Sequence, residues 1–272
     1  MNQIKSKLVF LLAIFFAQSI HSDYLAREEV SDFIDYMNAK HDFDRDLLNN
    51  LLGEANHQER VIRIMNKQPE GTMTWERYKS IMVNESRISA GEVFIEQHKS
   101  DLLRAESVYG VPAEIIASII GIETRYGRIK GNIRVIDSLA TLAFDYPRRS
   151  KFFKTQLEEF LLLSREENLA PDQIVGSIAG AMGYGQFMPD SYRNYAVDFD
   201  NDGTRDILNN PVDAIGSVAN FLSKKGKWKP NTPVAIRAIA VNQDAPIKSS
   251  FKPYMTSMEL DKLGLQSTES IP

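Results

Sequence analysis

Cysteine is absent from the 272-residue chain. That excludes disulfides, thiolate metal sites, a thiol nucleophile and a lipid anchor carried on a cysteine. Dense runs of lysine or arginine are missing too, and 32 basic against 36 acidic residues leave a formal charge of −4. Nothing in that balance points to a nucleic-acid partner. No internal repeat or low-complexity tract interrupts the sequence, and the apolar run Leu8 to Ala17 is too short for a comfortable membrane span. What is present is 43% hydrophobic and 25% charged. That composition and length suit a globular protein with a sizeable core, as one large domain or two smaller ones.

The apolar run has informative flanks. Lys5 and Lys7 precede it and the small, polar "QSIHSD" follows, the layout of a secretory signal over residues 1–22. Cleavage after Ser19 or Ser22 is expected, and loss of the two lysines takes the charge to −6. An uncleaved N-terminal anchor is the alternative. An exported chain without disulfides relies on its core for stability.

Beyond residue 22 the pattern is helical. Val30, Phe33, Ile34 and Met37 fall on one helical face, and Leu47, Leu48, Leu51 and Leu52 repeat the spacing up to Gly53. "NKQPEGTMT" (66–74) is a turn-rich break. One helix is expected from Glu92 to Tyr109, with Ser89 and Glu92 as a capping box and Gly110 as its stop. Pro112 should open the next helix. Another follows Pro147, with Phe153, Leu157, Phe160 and Leu161 inward and Lys154–Glu158 paired outward. "PVDAIGSVANFLSKKG" reads as a further helix to Gly226, and after Trp228 alternating residues between prolines predict short strands. The fold class is mainly α (α+β), with a small β appendage.

Within "IIASIIGIETRYG" (115–127), Glu123 falls on the face of Ile116, Ile119 and Ile120. Burial beside that face should raise its pKa and keep it protonated near neutrality, as a general acid requires. The bland alternative is a glutamate paired with Arg125 or Arg128. Gly121, inside the helix, suggests close approach by another segment or a ligand. The glycine-rich "GSIAGAMGYGQFMP" (176–189) offers Gln186 with Tyr184, Phe187 and Met188, an amide among aromatic and thioether surfaces that suits sugar hydroxyls and N-acetyl groups. It lacks the Gly-Lys-Ser/Thr of a phosphate loop. A tight loop packing Phe187 and Met188 inward is the alternative. In "DFDNDGTRDILNNPVD" (198–213), Asp198, Asp200 and Asp202 stand at calcium-loop positions one, three and five, Gly203 at six, and Thr204 could give a carbonyl. Asn209 replaces the usual glutamate at twelve. A solvated acidic turn without an ion is the competing possibility.

"GIETRYG" (121–127), "DSLATLAFDYPRR" (137–149), "GSIAGAMGYGQFMPDSY" (176–192) and "PVDAIGSVAN" (211–220) together resemble the membrane-bound lytic transglycosylase B family. "FIDYMNAKHDFDRDLL" (33–48) and "VYGVPAEIIASIIGIETRYG" (108–127) extend the likeness over about residues 30–265. The resemblance implies a helical N-terminal domain (23–106), a lysozyme-like catalytic core (107–228) and a partial β-type segment (229–272). It implies cleavage of the β-1,4 bond between N-acetylmuramic acid and N-acetylglucosamine in peptidoglycan strands without water, leaving a 1,6-anhydro end. The family's single catalytic glutamate maps onto Glu123, and its binding positions onto Ser177 and Gln186, with Arg148, Arg149 and Phe187 lining the groove. A tyrosine of some members falls at Phe221. Asp213 would complete a structural calcium site, with no catalytic cofactor. The expected compartment is the periplasm. Full-length relatives carry a further C-terminal stretch that completes the groove, so a C-terminally short form is expected here. Two alternatives remain open: a hydrolytic muramidase on the same fold, and a catalytically weak peptidoglycan-binding protein.

Overall fold

The structure is a computed structural model that describes residues 24–67, 73–241 and 254–269. The expected signal segment, part of the 66–74 break and part of the β-type region lie outside the described residues. Among those described, no single helix is long and apolar enough to cross a membrane.

Helices dominate. A 3-10 turn at Tyr24–Ala26 leads into α1 (Glu28–His41), α2 (Arg45–Gly53) and α3 (Glu59–Lys67). Then follow α4 (Trp75–Met82), α5 (Glu85–Gln97), α6 (Lys99–Tyr109) and α7 (Ala113–Thr124). The strand β1 (Ile133–Arg134) runs straight into α8 (Val135–Phe144), and α9 (Ser150–Glu166) follows a 3-10 turn at Pro147–Arg149. After β2 (Val175–Gly176) come α10 (Pro189–Tyr195), α11 (Pro211–Lys224), β3 (Ala238–Ala240), α12 (Ser257–Lys262) and β4 (Leu265–Ser267). β1 pairs antiparallel with β2, Ile133 opposite Gly176, and β3 with β4, Ile239 opposite Gln266.

All ten residues of α8 are buried. A helix apolar on every side has to be surrounded, and α8 packs along α9 while α2 and α3 close over it. Its few polar groups tie the N-terminal helices down. Asp137 accepts from Arg134 Nη2 (2.8 Å) and the Asn56 amide (3.0 Å), and Thr141 Oγ1 accepts from the Gln58 amide (2.9 Å). Asp145 accepts from Tyr24 Oη (2.9 Å) and Arg27 Nη1 (2.6 Å) and lies 2.7 Å from His57 Nδ1. On the other flank α11 packs against α6, α7 and α10, which brings the chain's later half onto α7. One continuous apolar core runs from Tyr24 to Ala219.

Most predicted faces are buried: Val30, Phe33, Ile34 and Met37 on α1, and Phe153, Leu157, Phe160 and Leu161 on α9. Leu48 and Leu52 are inward but Leu47 is exposed. Three expectations need correction. The helix expected over 92–109 is two, broken at His98, and its start is Asn84, whose side chain accepts from the Arg87 amide (3.1 Å). Ser89 and Glu92 therefore sit inside α5, not at its cap. Lys154 does not pair with Glu158: it reaches Glu29 (3.5 Å), while Glu158 accepts from Lys40 (3.0 Å) and Tyr36 (2.9 Å) and meets His41 at 2.7 Å. Tertiary partners on α1 outcompete the helical neighbour. Pro112 is the N-cap residue, one position ahead of the helix it was expected to begin.

Candidate active site

α7 carries Glu123 on its last turn, and the way that turn ends positions the carboxyl. Arg125, Tyr126 and Gly127 take left-handed backbone in succession, with φ of 52°, 60° and 82°. Two side-chain-bearing residues there cost about 1–2 kcal/mol each, so their surroundings must hold them. The amides of Arg125 and Tyr126 close on Gly121 O (3.0 Å) and Ile120 O (3.3 Å). Thr124 Oγ1 accepts from the Gly127 amide (2.9 Å) and donates to Tyr184 O (2.9 Å), fastening the helix end to the glycine-rich loop. From α5, Arg87 Nη1 donates to Gly121 O (2.9 Å). The Tyr126 ring fills the junction of α5 and α7, where a Cβ on either Gly91 or Gly121 would come within 2.5 Å of it. The close approach expected at Gly121 is thus made by Tyr126.

Glu123 opens onto a cavity of about 280 Å³ walled by Ile119, Gln186, Phe187, Met188, Phe221 and Leu222, among others. Among the described residues it is the only ionisable one in that lining. The residue is exposed along the groove rather than buried with Ile116 and Ile120, a correction to the helical-face expectation. One edge meets solvent, yet the apolar walls displace enough water that desolvation alone pushes its pKa above the ordinary 4.5. No ion pair forms with Arg125 or Arg128 among the described residues, so the bland alternative is not what the fold builds.

The loop opposite folds on itself through a Met182–Phe187 bridge. Gln186 also has left-handed backbone (φ 50°), and its Nε2 donates to Gly183 O (2.9 Å) and Lys130 O (3.2 Å). No donor reaches its Oε1 among the described residues. Phe187 is buried, as the tight-loop alternative anticipates, but its ring meets Phe221 (centroids 5.2 Å) and forms a cavity wall. Tyr184 packs over Gly127, and Lys130 Nζ lies 4.8 Å above its ring. Ser177 Oγ accepts from the amides of Ala179 (3.3 Å) and Ala181 (3.0 Å), so it shapes the loop. Arg148 and Arg149 are exposed ahead of α9, with Arg149 stacked 4.3 Å over Phe152. Neither they nor Ser177 and Tyr184 line the cavity. Thr124, Tyr126, Lys130 and Arg87 were not singled out from the sequence, because hydroxyls and cations that serve a helix end carry no periodic signal.

Among the described residues, no second carboxylate joins Glu123 in the cavity lining. Asp137, Asp145 and Glu158 are the acids committed to the N-terminal helices described above. A larger hollow, about 620 Å³ between α1 and α9, mixes Glu29, Asp32, Lys151 and Lys154 and holds no candidate residue. Chemistry, not size, makes the Glu123 cavity the candidate site.

In the acidic loop, carboxylate oxygens of Asp198, Asp200 and Asp202 lie within 4.8 Å of one another. Asp198 accepts from the Asp202 and Gly203 amides (3.1 and 2.9 Å), and Asp202 Oδ1 from the Thr204 amide (2.9 Å). Gly203 takes φ 97° at the sixth position. Asn210 Nδ2 donates to Asp200 (2.8 Å) and with the Asp202 amide holds its carboxyl below the ordinary range. Converging oxygens without nitrogen or sulfur fit a hard divalent cation. Asp213 stands outside this trio. Fully buried, it accepts from the amides of Phe199 (2.7 Å) and Asp206 (2.8 Å), and desolvation raises its pKa. As folded, it ties the loop to α11.

A helical core presenting one desolvated carboxyl across a short loop defines a lysozyme-like domain. The chain belongs to the transglycosylase SLT domain family, whose model matches residues 26–272. It is 44% identical over 253 residues to the membrane-bound lytic murein transglycosylase B of Escherichia coli K12, covering 89% of this chain and 69% of that one. Structures of the Escherichia coli lytic transglycosylase Slt35 in complex with bulgecin A and with calcium superpose with TM-scores of 0.86 and 0.85, each at 41% identity and covering 96% of this chain and 82% of that one. SltB3 of Pseudomonas aeruginosa, in complex with NAG-anhNAM-pentapeptide, matches at 0.71 and 32% identity over 78% of this chain and 55% of that one.

Proposed function

We propose that Glu123 acts first as acid and then as base in a water-free cleavage of peptidoglycan. As a member of this family the chain is a lytic murein transglycosylase, an enzyme that breaks glycosidic bonds in that polymer. Protonated Glu123 donates to the glycosidic oxygen between N-acetylmuramic acid and N-acetylglucosamine as the C1–O bond breaks. The carboxylate so formed takes the proton of the muramic acid O6 hydroxyl, and O6 attacks C1 of the same sugar. Proximity favours that ring closure over capture of water. The observation that carries this mechanism is the solitary carboxyl: the usual retaining and inverting hydrolases place a second carboxylate across the bond, and among the described residues none lines the cavity. The anhydro sugar bound to SltB3 supports the same product.

Gln186 Oε1 and the Phe187 wall are assigned to the sugar beside Glu123, with Arg148 and Arg149 further along the strand. Tyr184 and Ser177 support the loop that presents them. The division into a helical region (23–106), a catalytic core (107–228) and a β-type segment (229–272) is retained as the working domain plan. The aspartate trio, with the Thr204 carbonyl and Asp213 behind it, is assigned a structural calcium ion, supported by the calcium complex of Slt35. Export to the periplasm rests on the N-terminal run.

Digestion of purified peptidoglycan in ¹⁸O-labelled water, read by mass spectrometry, tests the reaction. Anhydro-muropeptides without label are expected. Reducing ends carrying ¹⁸O would establish a muramidase instead.

A further inference from the structure

The apolar wall of the Glu123 cavity is hydrocarbon except at one point. Ile119, Phe187, Val218, Phe221 and Leu222 supply carbon side chains, and Met188 supplies a thioether. That sulfur is the one wall group that a mild oxidant converts from apolar to polar. Met188 is partly exposed, whereas Met37 and Met182 have no exposed surface. With no cysteine in the chain, no thiol competes for an oxidant. Met258 is more exposed, at 68%, but sits on α12, outside this lining.

The backbone of Met188 is held independently of its side chain. It directly follows the Met182–Phe187 bridge, its carbonyl accepts from the Tyr192 amide (2.9 Å), and Pro189 then opens α10. The side chain itself is unbranched, with three rotatable bonds. It can gain an atom without disturbing that frame.

An oxygen on the sulfur changes what the cavity offers. A sulfoxide oxygen accepts hydrogen bonds and donates none. The other side-chain donors of the lining are already engaged: Gln186 Nε2 with Gly183 O and Lys130 O, and Ser191 Oγ with Asp190 Oδ1 (3.2 Å). The acid proton of Glu123 is the side-chain donor left for it. Failing that, the new oxygen draws water into the apolar wall, because a buried polar atom without a partner is costly. The first outcome diverts the proton from the glycosidic oxygen, and the second hydrates the carboxyl.

We infer that Met188 is an oxidation-sensitive site whose conversion to the sulfoxide lowers the rate of the enzyme. The inference rests on the lytic transglycosylase reading of this cavity. The oxidant is a peroxide. With hydrogen peroxide, the thioether gives up two electrons, the O–O bond breaks, one oxygen forms the S–O bond and the other leaves as water. A methionine sulfoxide reductase reverses the change: two thiols become a disulfide, and the sulfoxide oxygen leaves as water.

The test treats the purified enzyme with hydrogen peroxide, following Met188 by peptide mass spectrometry and activity by muropeptide release. In the wild type kcat/KM should fall about tenfold at full Met188 oxidation, the scale of leaving one buried polar group unpaired. The loss should track the sulfoxide fraction at Met188 while the unfolding temperature stays constant, and reductase treatment should restore the rate. Each variant is compared with its own untreated rate. Met188→Leu, a volume-conserving exchange, should keep its rate through treatment, whereas Met258→Leu should lose activity as the wild type does. Equal inactivation of Met188→Leu and wild type would overturn the inference while leaving the reaction intact. So would full oxidation of Met188 without loss of rate, or a Met188 that resists peroxide until the protein unfolds. Release of nothing by the untreated wild type would overturn the reaction, and the oxidation-sensitive site with it.

Discussion

A carboxylic acid can protonate a leaving group only while it still holds its proton, and at Glu123 desolvation by the cavity walls raises the pKa, which favours that form. Because the acid form is the active one, kcat/KM should hold at low pH and fall as pH rises through the raised pKa. Phe221→Asn, which admits water beside the carboxyl, should move that descending limb toward lower pH, as a pH–rate profile would reveal. A limb that stays in place would mean the wall does not set the pKa. At this scale the sequence was informative where one residue broke a pattern. A charge after an isoleucine-rich run marked Glu123, and three aspartates at alternate positions marked the acidic loop. It was uninformative where a residue's task depends on a distant backbone. Ser177 Oγ caps its own loop, Thr124 bridges α7 to Tyr184, and Asp213 reaches back to Phe199; none of these contacts has a local signature.

Elements with one apolar face were legible, since their period survives without knowledge of neighbours. The inward faces of α1 and α9 are those predicted. α8 was invisible as a helix because it is buried all round and has no polar face to set a period. The break at His98 was missed for the opposite reason: apolar spacing continues across it while the chain turns. The end of α7 shows how an element holds function. Gly91 and Gly121 leave room for one tyrosine ring, and that ring supports two left-handed residues directly after Glu123. Gly121→Ala should overpack this junction, costing about 1–3 kcal/mol in denaturant unfolding. Turnover should fall by more than binding, because the carboxyl is displaced rather than removed. Unchanged stability would show that Tyr126 is free to move aside.

Across the whole molecule, the N-terminal helices are fixed to the central helix by hydrogen bonds to Asp137, Thr141 and Asp145, and the later half of the chain closes over α7 through α11. The acidic loop lies between α10 and α11, so an ion there would brace that closure. Calcium at a hundredfold excess over its Kd should add about 2.7 kcal/mol, or about 5–10 °C in Tm for a chain of this size. Asp202→Asn should abolish the gain. Chelation should leave the rate of the still-folded enzyme unchanged, since the chemistry assigned to Glu123 uses no metal. Identical unfolding with calcium and with chelator would contradict the assignment.

In the proposed mechanism one carboxyl, unaided by a second, performs the reaction. Mass spectrometry of muropeptides released from purified peptidoglycan by the wild type and by Glu123→Gln tests it most directly. The folded state holds the Glu123 proton more tightly than the unfolded chain does, so its stabilising contribution is full at low pH and lost as pH rises through the raised pKa. At neutral pH the glutamine variant should therefore melt at or above the wild-type temperature, which separates lost chemistry from lost folding. Anhydro-muropeptides are expected from the wild type and none from the folded variant. Comparable release by both would contradict the single-carboxyl mechanism.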